Sequence, residues 1–173
     1  PDTADALLRC CKPAQSICAG YPCGEGKCTG LSPSLFAAAQ QAALHPLYEA
    51  DGAGRLPAKL HKETEPVIHP NTDKILLVAG LRALGKPVSS VCHRYALSSR
   101  MAANPARSFD TNDLLETIRD GIRACGAPAE RLRILINQAD TPHLFEQARP
   151  LEQTLRAEGY FVRIGCLRSP FWP

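Results

Sequence analysis

Two carboxylates two residues apart, Glu49 and Asp51, stand in the stretch best equipped for chemistry, LYEADGAGRLPAKLHKETEP over residues 47–66. Leu47 and Ala50 can sit in a sheet, and Gly52 and Gly54 permit a sharp exit from it. This places the two acids at the C-terminal edge of a short strand. Ligands bind outside that edge in open α/β sheets, and a carboxylate there holds Mg²⁺, directly or through water, beside a phosphate. A surface turn with solvated acids is the alternative reading.

A second constellation is RILINQADTP over residues 133–142. A β-branched strand runs into Asn137, Gln138, Ala139 and Asp140, approximating the Asn-Lys-x-Asp signature of GTP-binding loops. An aspartate in that place offers two acceptors to the two donors on the guanine edge, and the asparagine steadies the loop. Gln138 stands where the signature has a lysine whose stem covers the base. The competing reading is an Asx turn in which Asp140 caps the next helix.

Other patterns carry less. Residues 80–86, GLRALGK, have the outline of a phosphate-binding loop, but Pro87 replaces the Ser or Thr that reaches Mg²⁺ and supplies no N–H to open a helix. Leu81 and Leu84 mark this segment as a packed turn. Cys10, Cys11, Cys18, Cys23 and Cys28 lack the paired spacing of zinc or iron–sulfur sites, although Cys23 and Cys28 can face each other across a turn. Cys92, Cys125 and Cys166 stand alone in apolar or helical surroundings and read as buried thiols of a reducing compartment. The five histidines show no ligand spacing, and no nucleophile elbow is present.

These residues need elements to position them. Thr3 caps a first helix through Cys11, residues 16–20 form a short strand, and YPCGEGKCTG makes turns or a hairpin. Ser32 then Pro33 opens a second helix that Pro46 ends. Residues 73–80, DKILLVAG, are a continuous apolar run typical of a central strand covered on both faces. A helix is expected over 89–101, and another from Asp110 or Thr111 through Cys125 with Gly126 at its end. Strand 133–136, helix 143–158 and strand 160–167 follow. Alternation of helix and strand with short links predicts one α/β domain over 1–173, with a mostly parallel sheet flanked by helices.

The totals set limits. The 173 residues are 45% hydrophobic and 21% charged, ordinary globular values. A net charge of +3 without a basic block gives no nucleic-acid surface. No apolar run reaches the ~20 residues that span a bilayer, and the start lacks the order of a signal peptide. Pro1 is not an initiator and Met101 is the sole methionine, so the chain reads as the later part of a longer protein.

With GKCTGLSP, EADGAGRLPAKLHKETEPVI, VAGLRALGKP, His93-Arg94 and ILINQAD in view, the chain resembles the selenium-dependent hydroxylase accessory proteins of the YqeC type. The resemblance implies a fold like that of P-loop NTPases, here without the N-terminal phosphate-loop strand. It further implies a cytoplasmic, nucleotide-binding maturation factor whose partners are a molybdenum hydroxylase or its cofactor-insertion machinery. Mg²⁺ and a nucleoside triphosphate are the implied cofactors, with hydrolysis only if a phosphate loop lies upstream. Glu49 and Asp51 take the metal-side role, with Asp51 on Mg²⁺. Asn137 and Asp140 take the base-side role with Gln138 between them, and Lys59 is available to a phosphate. Glu65, His93 and Arg94 match family positions without a derivable task. Two further readings stay open: a non-catalytic scaffold that binds a partner or pterin cofactor, and a carrier of selenium, sulfur or metal on the N-terminal cysteines.

Overall fold

The structure is a computed structural model that describes residues 4–10, 16–24, 28–42 and 46–166. It divides into two compact units, Pro1–Glu49 and Ala50–Pro173. Thr3 and Cys11, the expected cap and last residue of the first helix, lie outside the described residues.

In the first unit, helix α1 is Ala4–Cys10, and strands β1, Tyr21–Pro22, and β2, Cys28–Thr29, form an antiparallel hairpin. Residues 16–20, expected as a strand, are not one: pairing begins only at Tyr21, opposite Thr29. Helix α2 is Pro33–Ala42, with Ser32 Oγ accepting from Leu35 N (3.4 Å) and Ser32 O from Phe36 N (2.8 Å). Leu35 and Phe36 are buried, and Tyr48 meets the Phe36 ring edge-on with centroids 5.0 Å apart. The strand expected at residues 47–50 is also absent. Leu47 is 95% exposed, and Pro46 has no N–H to begin a ladder.

The second unit opens with β3, Ala58–Lys59, and β4, Ile75–Gly80. Helix α3, Val88–Val91, strand β5, Cys92–His93, and helix α4, Ser99–Ala103, follow. Helix α5 is Thr111–Cys125, β6 is Leu132–Asn137, α6 is Pro142–Ala157 and β7 is Phe161–Ile164. Strands β4, β6 and β7 make a parallel sheet in that order, with Leu76 opposite Arg133 and Arg133 opposite Phe161. Strand β3 pairs in parallel with β5, Ala58 opposite Cys92 and Lys59 opposite His93. The α/β class expected from the alternation of elements is the one observed.

Two further expectations, both in the second unit, need correction. The DKILLVAG strand is not central: β4 lies at the end of the sheet and β6 is in the middle. One face of β4 packs under α5, while Leu76 and Val78 on the other are 61% and 49% exposed. The second correction concerns residues 89–101. Here Cys92 and His93 leave the helix to pair with β3, and Arg94 turns through the left-handed region at φ 60° before α4 begins.

Where propensity and tertiary packing agree, the elements stand as expected. Asp110 and Asp113 exchange backbone and side-chain bonds as a capping box, and Gly126 closes α5 at φ 56°. Thr141 caps α6 through Leu144 N (3.2 Å). Phe109, Leu114, Ile118, Ile134, Ile136, Leu155 and Val162 form the fully buried core between these helices and the sheet. Residues 80–86 are the packed turn the leucines foretold, with Leu81 and Ala83 wholly buried and Lys86 exposed. Among the described residues, no helix is long and apolar enough to cross a membrane.

Candidate functional site

Residues 51–61 fold back over the C-terminal end of β4. Gly80 N donates to Pro57 O (2.8 Å), which ties this segment to the sheet's rim. A side chain at Gly80 would strike Pro57, whose Cβ lies 2.8 Å from where a Cβ would stand, so glycine is required by this close approach. From that tie β3 carries Lys59 inward, and the β3–β5 pairing sets His93 and then Arg94 beside it.

Lys59 is the hub. Its ammonium donates to Asp51 Oδ1 and to Gly52 O (2.9 Å) and lies 3.1 Å from Glu65 Oε2. Only 8% of its side chain is exposed, a burial that a lysine sustains when its charge is paired. Glu65 in turn receives both arms of the Arg94 guanidinium, Nη2 to Oε1 at 2.7 Å and Nη1 to Oε2. That fork holds the Glu65 carboxyl down to about 2 against burial, with Lys59 adding to the effect. Burial, followed by the nearby charges of Arg94 and Lys59, holds the His93 imidazole below its ordinary value.

His61 stands two residues beyond Lys59, between two carboxylates. Asp120 Oδ2 accepts from both His61 N and His61 Nδ1, each at 2.8 Å. On the opposite side of the ring, Nε2 lies 3.1 Å from Asp51 Oδ2, without the alignment of a hydrogen bond. Asp51 Oδ2 is thus a buried acceptor with no donor. Gly121 lets α5 come this near: a Cβ there would stand 2.5 Å from Leu77 Cδ1 and 3.3 Å from the His61 ring.

The end of β6 forms another locus. Gln138 adopts φ 67°, and its side-chain oxygen accepts from Arg82 N (3.3 Å). Asp140 accepts from Arg82 Nε at Oδ2 (2.5 Å) and from the Cys166 thiol at Oδ1 (2.7 Å), so both oxygens have protein donors. Thr141, not Asp140, caps the following helix, which removes the capping role from Asp140.

The structure therefore joins Asp51, Lys59, Glu65, His93 and Arg94 in one neighbourhood, and Asn137, Gln138 and Asp140 at the end of β6. Asp51 sits in a loop and not on a strand edge, while Glu49 is the last residue of the other unit. His61, Asp120 and Arg82 were not singled out by sequence; a glycine beside Asp120 in mid-helix is the signal that could have marked a close approach. Among the described residues, no group of three or more His, Cys, Asp or Glu is gathered as for a metal ion. Cys18, Cys23 and Cys28 are exposed free thiols; Cys92 is buried, whereas Cys125 and Cys166 are only partly so.

No curated protein matches the chain, and no solved structure does. The model of the family described as YqeC protein matches residues 2–96, a span that holds Asp51, Lys59, His61, Glu65, His93 and Arg94 and stops short of Asn137. Since that match covers more than half of its length, the chain belongs to the YqeC family.

Proposed function

We propose that this YqeC-family chain is a nucleoside-triphosphate-binding accessory protein for the maturation of selenium-dependent molybdenum hydroxylases. The carrying observation is Asp51: one oxygen rests on the Lys59 ammonium and the other is buried without a donor, inside the family-matched span. An orphaned carboxylate oxygen fits a divalent cation, which satisfies it without needing a hydrogen. Asp51 would hold Mg²⁺, and the ion when bound would offset the negative charge of the phosphates. Lys59, already shared among two carboxylates and a carbonyl, would turn part of its hydrogen bonding to a phosphate oxygen. Glu65 and Arg94 keep Lys59 aimed, because their bidentate pair fixes the carboxylate that Lys59 shares. Asn137 and Asp140 would face the base, with Asp140 giving up Arg82 as its partner.

The test is calorimetric titration of the protein, with its natural N-terminal sequence, with GTP and with ATP in the presence of Mg²⁺. Saturable binding is expected, weakened at least tenfold by Asp51→Ala and shifted between GTP and ATP by Asp140→Ala. Unchanged affinity in both variants would remove these residues from the site.

A scaffold that binds a partner protein or a pterin cofactor without nucleotide is the second reading. The arrangement at Asp140 favours it, since both oxygens are already satisfied by Arg82 and Cys166. Binding of the client enzyme with no detectable nucleotide affinity would select it.

A further inference from the structure

At the proposed site Asp51 supplies one oxygen to a metal ion, and the side chain facing that oxygen is His61. We infer that His61 is a second metal ligand, oriented by Asp120, and that the pair favours a transition ion such as Mn²⁺, Co²⁺ or Zn²⁺ over Mg²⁺. The inference rests on the reading of Asp51 as the metal-side carboxylate.

Three observations carry it. Asp120 Oδ2 takes the His61 Nδ1 proton at 2.8 Å and also the His61 backbone N–H, so the ring is locked with Nε2 turned to Asp51. A carboxylate that receives one ring N–H while the other nitrogen binds a metal is the common second-shell arrangement for histidine ligands. Next, the tautomer with Nδ1 as the donor presents its lone pair at Nε2 to a carboxylate oxygen 3.1 Å away. Two acceptors at that distance are stable only with a cation between them or a proton in line, and the contact lacks hydrogen-bond alignment. Ligand atoms ~2.0–2.2 Å from one ion lie roughly 3 Å apart, which is the separation found.

The third observation is charge. Asp51, Glu65 and Asp120 bring three carboxylates against the ammonium of Lys59 and the guanidinium of Arg94. Arg123, 68% exposed, reaches only the outer oxygen of Asp120 at 3.4 Å and is screened by water. A further cation is therefore welcome on the inner side. Lys59 occupies Asp51 Oδ1, which leaves Oδ2 to the ion. Imidazole is a better ligand for the transition ions than for Mg²⁺, which prefers oxygen. With two protein ligands, the remaining positions fall to water or a phosphate oxygen.

The experiment titrates the full chain with Co²⁺ and separately with Mn²⁺, without nucleotide. Visible absorption reads Co²⁺, and Mn²⁺ is read by paramagnetic broadening of histidine ring signals in the NMR spectrum. One equivalent of Co²⁺ is expected to give ligand-field bands, and Mn²⁺ to broaden the His61 ring signals selectively. His61→Gln should weaken Co²⁺ binding by about 10–100-fold, and Asp120→Asn, which spares both ligands, by a smaller factor in the same direction. Thermal melts of each variant establish that it is folded, and Asp120→Asn carries the test if His61→Gln does not fold. Absence of Co²⁺ binding, or binding that Asp51→Asn abolishes and His61→Gln leaves unchanged, overturns the inference. The Mg²⁺–nucleotide titration above is separate: nucleotide binding without Co²⁺ binding refutes the His61 ligand and leaves the nucleotide reading standing.

Discussion

Replacing Glu65 by Gln should cost the second unit stability at neutral pH and flatten its acid limb. The Glu65 carboxyl falls from 4.5 to about 2 in the folded chain, first through the Arg94 bond and then through Lys59. At 1.36 kcal/mol per unit, that difference corresponds to roughly 3 kcal/mol at full strength. The side chain is 23% exposed, so water screens part of it and ~1–2 kcal/mol is the working figure. The sign follows from a lowered acid: the stabilisation is present above pH 4.5 and is lost as pH falls from there toward 2. Urea unfolding at several pH values between 3 and 7, with wild type and Glu65→Gln, measures this. Wild type should lose stability steeply below pH 4.5, and the variant should start lower and decline less. Parallel curves would show that Arg94 and Lys59 do not hold Glu65 in its ionised form, and the hub would lose its electrostatic basis.

Further expectations concern the groups around that hub and the core. Asp113 is wholly buried and accepts from Arg107 (2.6 and 2.7 Å), Arg100 (2.8 Å) and Asp110 N (2.9 Å). Burial raises its carboxyl, but the Arg107 bonds and the helix cap outweigh that and leave it lowered. Asp113→Asn should therefore cost about 3 kcal/mol in urea unfolding at pH 7, because two guanidinium groups lose their shared anion. Burial pushes the Cys92 thiol up to about 12, so iodoacetamide at pH 8 should alkylate the exposed Cys18, Cys23 and Cys28 while Cys92 reacts only on unfolding. Peptide mass spectrometry reads the order, and equal rates would contradict the burial of Cys92.

Helix α5 was legible because the local signals agreed: a cap at Asp110 or Thr111, Leu114 and Ile118 at helical spacing, and Gly126 at the end; the structure chooses Asp110 and adds Asp113 as its capping partner. Strand β6 was legible for the same reason, as a β-branched run ending at Asn137. The residues around Cys92 were not, because their helical pattern competes with a partner strand thirty-four positions earlier, and pairing with Ala58 wins. The end position of β4 was hidden too: an apolar run states that a strand is hydrophobic, not how many neighbours it acquires. At the site, the acids and Lys59 announced themselves by type. The His61–Asp120 contact spans 59 positions, and no spacing rule reaches so far.

The boundary of the family match has a consequence for anyone who would cut this chain. Residue 96 falls after Arg94 but before β6, the only strand that pairs with β4 among the described residues, and before Asp120. A fragment ending there would keep Lys59, Glu65 and Arg94 yet leave the rim beneath Pro57 with no sheet to belong to. The segment that evolution marks as a family is thus shorter than the piece that physics requires to hold it, and expression should extend at least through β7.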